Sequence, residues 1–310
     1  MSFDRLISAI AQTKNPSVVG LDPTLAMIPP FILEPMLAEF EDPFEGAAEA
    51  FIEFNRRLID ALYDIIPAVK PQSAYYEAFG WQGVRALKAT IRYAKEKGLF
   101  VIADCKRNDI GSTMGAYARA YLGETEIAGQ KREAFGADAL TVNGYLGTDG
   151  IEPLLNICKE RDRGIFVLAK TSNPSSGELQ DKLSDGQPIY RKMGGLCEKW
   201  GADSMGDYGY SAVGAVVGAT YPEQLSELRR ALPHTFFLVP GYGAQGGSAQ
   251  SVAGAFDSRG LGAIVNSSRA ILTAWQKENC DERDFACAAR REALRMRDAI
   301  AAAIPEIRLS

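Results

Sequence analysis

Residues 100–109 read FVIADCKRND, an apolar β-branched run that ends in charges of alternating sign. Working outward, similar runs recur along the chain: SVVGLD at 17–22, AVK at 68–70, ALTVNGY at 139–145, GIFVLAK at 164–170, AVGAVVGA at 212–219, FFLVPGYG at 236–243 and GAIVNSS at 262–268. Nearly continuous apolar runs mark strands buried on both faces of a parallel sheet. Segments of helical period lie between them, at 46–66, 75–97, 179–200, 222–232 and 248–258. Eight strand and helix units in about 250 residues fit a closed eight-stranded β/α (TIM) barrel better than an open doubly wound sheet. No shift in composition and no Ser/Gly linker divides the chain, so 1–310 is expected to be a single α/β barrel domain. Its extra length falls in insertions near 24–46, 123–130 and 173–187 and in a C-terminal helix from about 281 to 303.

The 310 residues are 46% hydrophobic and 24% charged, an ordinary globular balance that supports a large core. The net charge of −5 offers no basic excess for a phosphate backbone, so nucleic acid is not an expected partner. The longest small-apolar stretch, 211–219, is far too short to span a bilayer, so no membrane association is expected. Asp4 and Arg5 interrupt any apolar leader in MSFDRLISAIAQTKN, which places the expected location in the cytoplasm. The five cysteines are scattered without a C-x-x-C pair, consistent with reduced thiols. The single histidine, His234, sits in the turn LPHTF and leaves no histidine-rich metal site to build.

Barrel active sites lie at the C-terminal ends of strands, where charges are informative. Asp22 ends the first run, Lys70 the second, and Asp104 with Lys106 the third. Strand alternation points Asp104 and Lys106 the same way, and Asp109 follows one short loop later. Burying unpaired charges costs several kcal/mol each, so Lys70, Lys106, Asp22, Asp104 and Asp109 must pair closely if they converge. The plainer alternatives are a structural ion pair for Asp104 and Lys106, and a helix cap for Asp109. Lys170, ending the fifth run, is either a Schiff-base lysine or the anchor of the loop that follows.

A second cluster lies at the seventh and eighth runs. In GYGAQGG, Gly241, Gly243 and Gly246 match the spacing G-x-G-x-x-G between a strand and a helix. The dinucleotide reading needs an acidic residue about 20 positions on, where Asn266 and Ser267 stand instead, and a nicotinamide carrying a 2′-phosphate could use Arg269 in its place. A single phosphate held by the loop and by the Arg269 fork fits better. Glycines serving only as turns remain the alternative.

Together the blocks GLDP at 20–23, VKPQ at 69–72, DCKRNDIGST at 104–113, KTSNPSS at 170–176, PGYGAQGG at 240–247 and NSSR at 266–269 closely resemble the orotidine 5′-phosphate decarboxylases, in the longer bacterial (type 2) form. The resemblance runs in order along essentially the whole chain. It implies decarboxylation of orotidine 5′-monophosphate to UMP and CO2 in pyrimidine biosynthesis, without metal or cofactor, by a homodimer. It further implies a catalytic array of Lys70, Asp104, Lys106 and Asp109, with Asp109 and Thr113 reaching the neighbouring subunit's site. Asp22 and Lys70 would contact ribose hydroxyls. Ser172 would bond the pyrimidine, with Asn173, Ser175 and Ser176 as adjacent alternatives. Gln245 and Arg269 would hold the phosphate, with Gly246 and Gly247 offering N–H groups. The segment after Lys170, containing Pro174 and Gly177, is the expected lid. Three rivals stand beside this reading: a Schiff-base aldolase using Lys106 or Lys170, a Mg2+-dependent sugar-phosphate enzyme sharing D-x-K-x-x-D, and a non-catalytic binder of phosphate ligands.

Overall fold

The computed structural model describes residues 2–243 and 246–309. Eight parallel strands close into a barrel: β1 (Ser17–Leu21), β2 (Ala68–Pro71), β3 (Phe100–Arg107), β4 (Ala139–Val142), β5 (Gly164–Lys170), β6 (Val213–Val217), β7 (Phe237–Val239) and β8 (Ala263–Ser267). Each strand pairs with its sequence neighbours, and β8 pairs with β1 to complete the circle. All eight expected strands are present. Closure leaves no sheet edge to protect.

Side chains alternate across a strand, so one parity faces the barrel interior and the other faces the helices. The interior set includes Val18, Ala68, Ile102, Ala139, Phe166, Val216, Leu238 and Ile264, all buried. Continued two residues at a time toward the strand C-termini, the same parity reaches Gly20 and Asp22, Lys70, Asp104, Thr141, Leu168 and Asn266. The apolar interior layers thus support a polar top layer. At the opposite end the helix Ser2–Thr13 plugs the barrel with Phe3, Leu6, Ile7 and Ile10. The Phe3 ring centroid lies 4.8 Å from that of Phe166 and 5.6 Å from that of Phe236. Burial of each such side chain contributes roughly 1.5–3 kcal/mol.

The helices differ from the periodicity in instructive ways. The segment read as 46–66 forms Pro43–Leu62, because Asp42 accepts a hydrogen bond from the Phe44 N–H and Pro43 occupies the first turn. The segment 75–97 divides into Ser73–Glu77 and Gly80–Glu96. The segment 179–200 is helical only over Ile189–Gly201. Its first part turns at Asp185 and Gly186, both at positive φ, into a hairpin of Leu183–Ser184 with Gln187–Pro188. The segment 248–258 shortens to Ala249–Ala253, behind a Ser248 cap. A second hairpin, Thr125–Ile127 with Gln130–Arg132, occupies the 123–130 region. The C-terminal helix runs Phe285–Ala301 and packs on Pro43–Leu62, where the Phe285 and Phe54 rings stack 5.2 Å apart. No helix among the described residues is long and apolar enough to cross a membrane.

Candidate active site

The polar top layer of the barrel is an ion network. Asp104 is its centre: Lys70 Nζ donates to Oδ2 at 2.6 Å, while Lys106 Nζ at 2.7 Å and Thr141 Oγ1 at 2.8 Å both donate to Oδ1. Burial works against the Asp104 carboxylate, but the Lys70 and Lys106 ammoniums prevail and hold its pKa well below the usual range. Burial likewise opposes the charge on Lys70, and Asp104 with Asp22 outweighs it, leaving the lysine above its ordinary value. Both groups are therefore ionised at neutral pH. Lys70 is almost wholly enclosed, whereas Lys106 keeps about half its side chain exposed toward the open mouth.

Lys106 reaches this position in an unexpected way. The β3–β4 register shifts between Ala103 and Arg107, and Lys106 adopts φ +48°. Simple alternation along a regular strand therefore does not explain why Lys106 meets Asp104. A bulge does, and a non-glycine residue in this region costs roughly 1–2 kcal/mol. The Lys106 N–H leaves the ladder and donates to Thr141 Oγ1 at 3.0 Å.

A cavity of about 420 Å3 opens over the network, lined by Lys70, Asp104, Lys106 and Thr141 together with Leu168, Thr171, Ser172, Asn173, Val216, Leu238 and Pro240. At Pro240 it meets a second cavity of about 210 Å3, which holds Asp22, Tyr75, Asn266, Ser268 and Arg269. Gly20 lets Ser268, which lines the second cavity, approach β1 closely: a Cβ there would lie 1.8 Å from Ser268 Oγ. In the second cavity, Asp22 Oδ1 and Asn266 Oδ1 are buried acceptors without a hydrogen-bond donor among the described residues. Such atoms call for donors from a ligand or water.

The other expected residues are placed as follows. Ser172 and Asn173 line the larger cavity, whereas Ser176 is turned away, its Oγ accepting from Lys170 at 3.2 Å, and Ser175 Oγ accepts from Asn173 Nδ2. Lys170 is fully buried, with Nζ 2.7 Å from Asp181 and 4.3 Å from the Tyr221 ring centroid. It ties down the following loop and does not line the cavity, so the anchor reading of Lys170 fits and the Schiff-base reading does not. The same loop is held by Gln180 on Thr171 and by Thr220 Oγ1 on the Ser172 carbonyl. Asp109 does not join Asp104 and Lys106 within this chain. Its Oδ1 accepts from the Ile110 N–H at 2.8 Å, and the exposed Thr113 lies in the first turn of helix Gly111–Tyr121.

Gly241, Gly243 and Gly246 all have positive φ, so the glycine loop requires each of them for its turns. The Gly246 N–H donates to the Gly243 carbonyl and the Gly247 N–H to the Gly241 carbonyl. As the loop stands, those two donors are engaged within it and are not presented to an anion. Gln245 lies outside the described residues. The sequence reading missed Thr141. The available signal was a hydroxyl residue in the apolar run ALTV, at the interior parity of its strand. It also did not single out Thr171 or Tyr75, which carry no local pattern.

The family model for "Orotidine 5′-phosphate decarboxylase / HUMPS family" matches residues 18–280, the whole span from β1 beyond β8. This chain belongs to that family. A Rhodopirellula baltica protein named orotidine 5′-phosphate decarboxylase is 46% identical over 298 residues, covering 95% of this chain and 97% of the relative. A Clostridium tetani protein of the same name is 40% identical over 306 residues, with 98% and 99% covered. Among solved structures, a putative orotidine 5′-phosphate decarboxylase from Streptomyces avermitilis superposes with a TM-score of 0.73 at 33% identity, covering 97% of this chain and 96% of the other. A putative orotidine-monophosphate decarboxylase from Toxoplasma gondii gives 0.75 at 30% identity, with 96% and 98% covered. The expected enzyme class, a carboxy-lyase of the orotidine 5′-phosphate decarboxylase family on a β/α barrel, stands.

Proposed function

We propose that this chain decarboxylates orotidine 5′-monophosphate to UMP and CO2, with Lys106 as the acid that protonates the C6 carbanion. The observation that carries this assignment is the Lys70–Asp104–Lys106 network at the floor of the larger cavity. When the bond from pyrimidine C6 to the carboxylate breaks, its electron pair stays in an sp2 orbital that the ring cannot delocalise. A fixed cation beside C6 stabilises that pair, and a proton from Lys106 Nζ completes the C6–H bond. Solvent then returns a proton to the lysine. Asp104 holds the ammonium in place before the substrate arrives, so little reorganisation is left for the transition state. The Asp104 carboxylate also faces the substrate carboxylate, a repulsion that eases as CO2 leaves.

The smaller cavity suits the rest of the nucleotide. The unpaired Asp22 oxygen accepts from a ribose hydroxyl, assisted by Lys70, and Arg269 takes the phosphate together with Gln245. Gly246 and Gly247 contribute N–H groups only if the loop rearranges, since both are engaged within it. Ser172, which lines the larger cavity, contacts the pyrimidine. In this reading residues 1–310 act as one catalytic domain, without metal or cofactor, in a homodimer that brings Asp109 and Thr113 of one subunit to the network of the other.

The test is a spectrophotometric assay with orotidine 5′-monophosphate in excess EDTA. Full turnover is expected, with Lys106→Ala abolishing it while the fold is retained. Absence of turnover in the parent protein overturns the assignment, and activity that EDTA removes favours the Mg2+-dependent alternative.

A further inference from the structure

Resting on that reading, we infer that Thr141 is a positioning residue for the reaction, the part that sets both the backbone of Lys106 and the carboxylate of Asp104. Its hydroxyl does two things at once. It accepts the Lys106 N–H at 3.0 Å and donates to Asp104 Oδ1 at 2.8 Å, the same oxygen that receives Lys106 Nζ at 2.7 Å. The three contacts close a ring running from the Lys106 backbone through Thr141 and Asp104 to the Lys106 ammonium.

The ring answers a specific structural need. At the β3 bulge the register shifts between Ala103 and Arg107, and the Lys106 backbone stands at φ +48°, so its N–H has no strand carbonyl to bond. A backbone donor that has left the ladder still needs a partner, and Thr141 provides the acceptor. Thr141 itself is 1% exposed and sits at the interior parity of β4, so its Oγ1 is fixed by the barrel wall and not by a mobile loop. A β-branched side chain in a strand also has few rotamers to choose from. The hydroxyl is therefore a rigid two-way connector. Without it the Asp104 carboxylate keeps its lysines but loses the donor that fixes its rotation, and the ammonium is free to drift from the place where C6 carries the electron pair. Misplacement of about 1 Å in a catalytic group reduces rate by about 100-fold.

Thr141 lines the larger cavity and is absent from the lining of the smaller one, which holds Asp22 and Arg269. Ground-state grip on ribose and phosphate is thus separated from its action on Lys106. Thr141→Val keeps the shape and removes the hydroxyl, and Thr141→Ser keeps the hydroxyl and removes a methyl group. The experiment measures kcat and KM with orotidine 5′-monophosphate, the Kd of UMP by calorimetry, and thermal melting, for the parent and both variants. The expected result is a 10- to 100-fold lower kcat in T141V, a UMP Kd within about threefold of the parent, and recovery in T141S to within about fivefold of the parent kcat. A T141V kcat equal to the parent's overturns the inference. So does an equal loss in kcat and UMP affinity, which marks general collapse of the site. Should T141V melt early, T141S decides: parent-like kcat supports the hydroxyl's role, and a low kcat overturns it. A parent protein inactive on orotidine 5′-monophosphate would instead refute the assigned reaction, so the two failures are distinct.

Discussion

Replacing Asp104 with asparagine removes the charge that two lysines share. The side chains of Lys70 and Asp104 are 5% and 9% exposed and 2.6 Å apart, so the change strands an ammonium in a nearly closed site. Breaking such a buried pair costs about 3–5 kcal/mol. The Lys106 contact adds only about 0–1 kcal/mol, because that side chain is 46% exposed and water screens it. Asp22, which also favours the charged form of Lys70, moderates the loss. About 3 kcal/mol at pH 7 is therefore expected from chemical unfolding of parent and D104N. The pH dependence follows from the depressed pKa of Asp104. The unfolded chain takes up a proton near pH 4 while the folded protein does not, so this contribution is complete above that pH and fades as pH falls toward the folded value. Relative to pH 7, the gap between parent and D104N should narrow by roughly 1.3 kcal/mol at pH 3. A D104N protein within about 0.5 kcal/mol of the parent at pH 7, a difference typical of unremarkable surface changes, would refute the reasoning, as would a gap unchanged at pH 3.

Two further outcomes are expected. Lys106→Gly and Lys106→Ala should both abolish decarboxylation, but the glycine variant should be the more stable in thermal melts by roughly 1–2 kcal/mol, since φ +48° suits glycine. Equal stability, or a more stable alanine variant, would argue against backbone strain at this position. Mixing inactive Lys106→Ala and Asp109→Ala subunits should restore part of the activity, because in the proposed homodimer a hybrid rebuilds one complete site. Continued inactivity after subunit exchange has been verified would remove Asp109 from the neighbouring site.

The barrel was legible because burial on both faces writes itself into composition: each strand is a short apolar run, and a charge at its end is conspicuous. Asp22, Lys70, Asp104 and Lys106 stand out on that ground, Arg269 stands out as a fork beside the glycine loop, and the family's motif blocks add Ser172. The helix limits were less legible, because a hairpin such as 183–188 is set by two positive-φ residues within a segment of otherwise helical period. Linear order by itself therefore determined which residues carry charge and at which end of the sheet they emerge. Only the closed barrel decided how they meet. Asp104 faces Thr141 across adjacent strands, Lys106 reaches the network through a bulge that breaks its own alternation, and Asp109 turns to its neighbour's N–H and not to Lys106. Those relations depend on register and backbone dihedrals, which arise when strands far apart in the chain pair, and no local pattern encodes them.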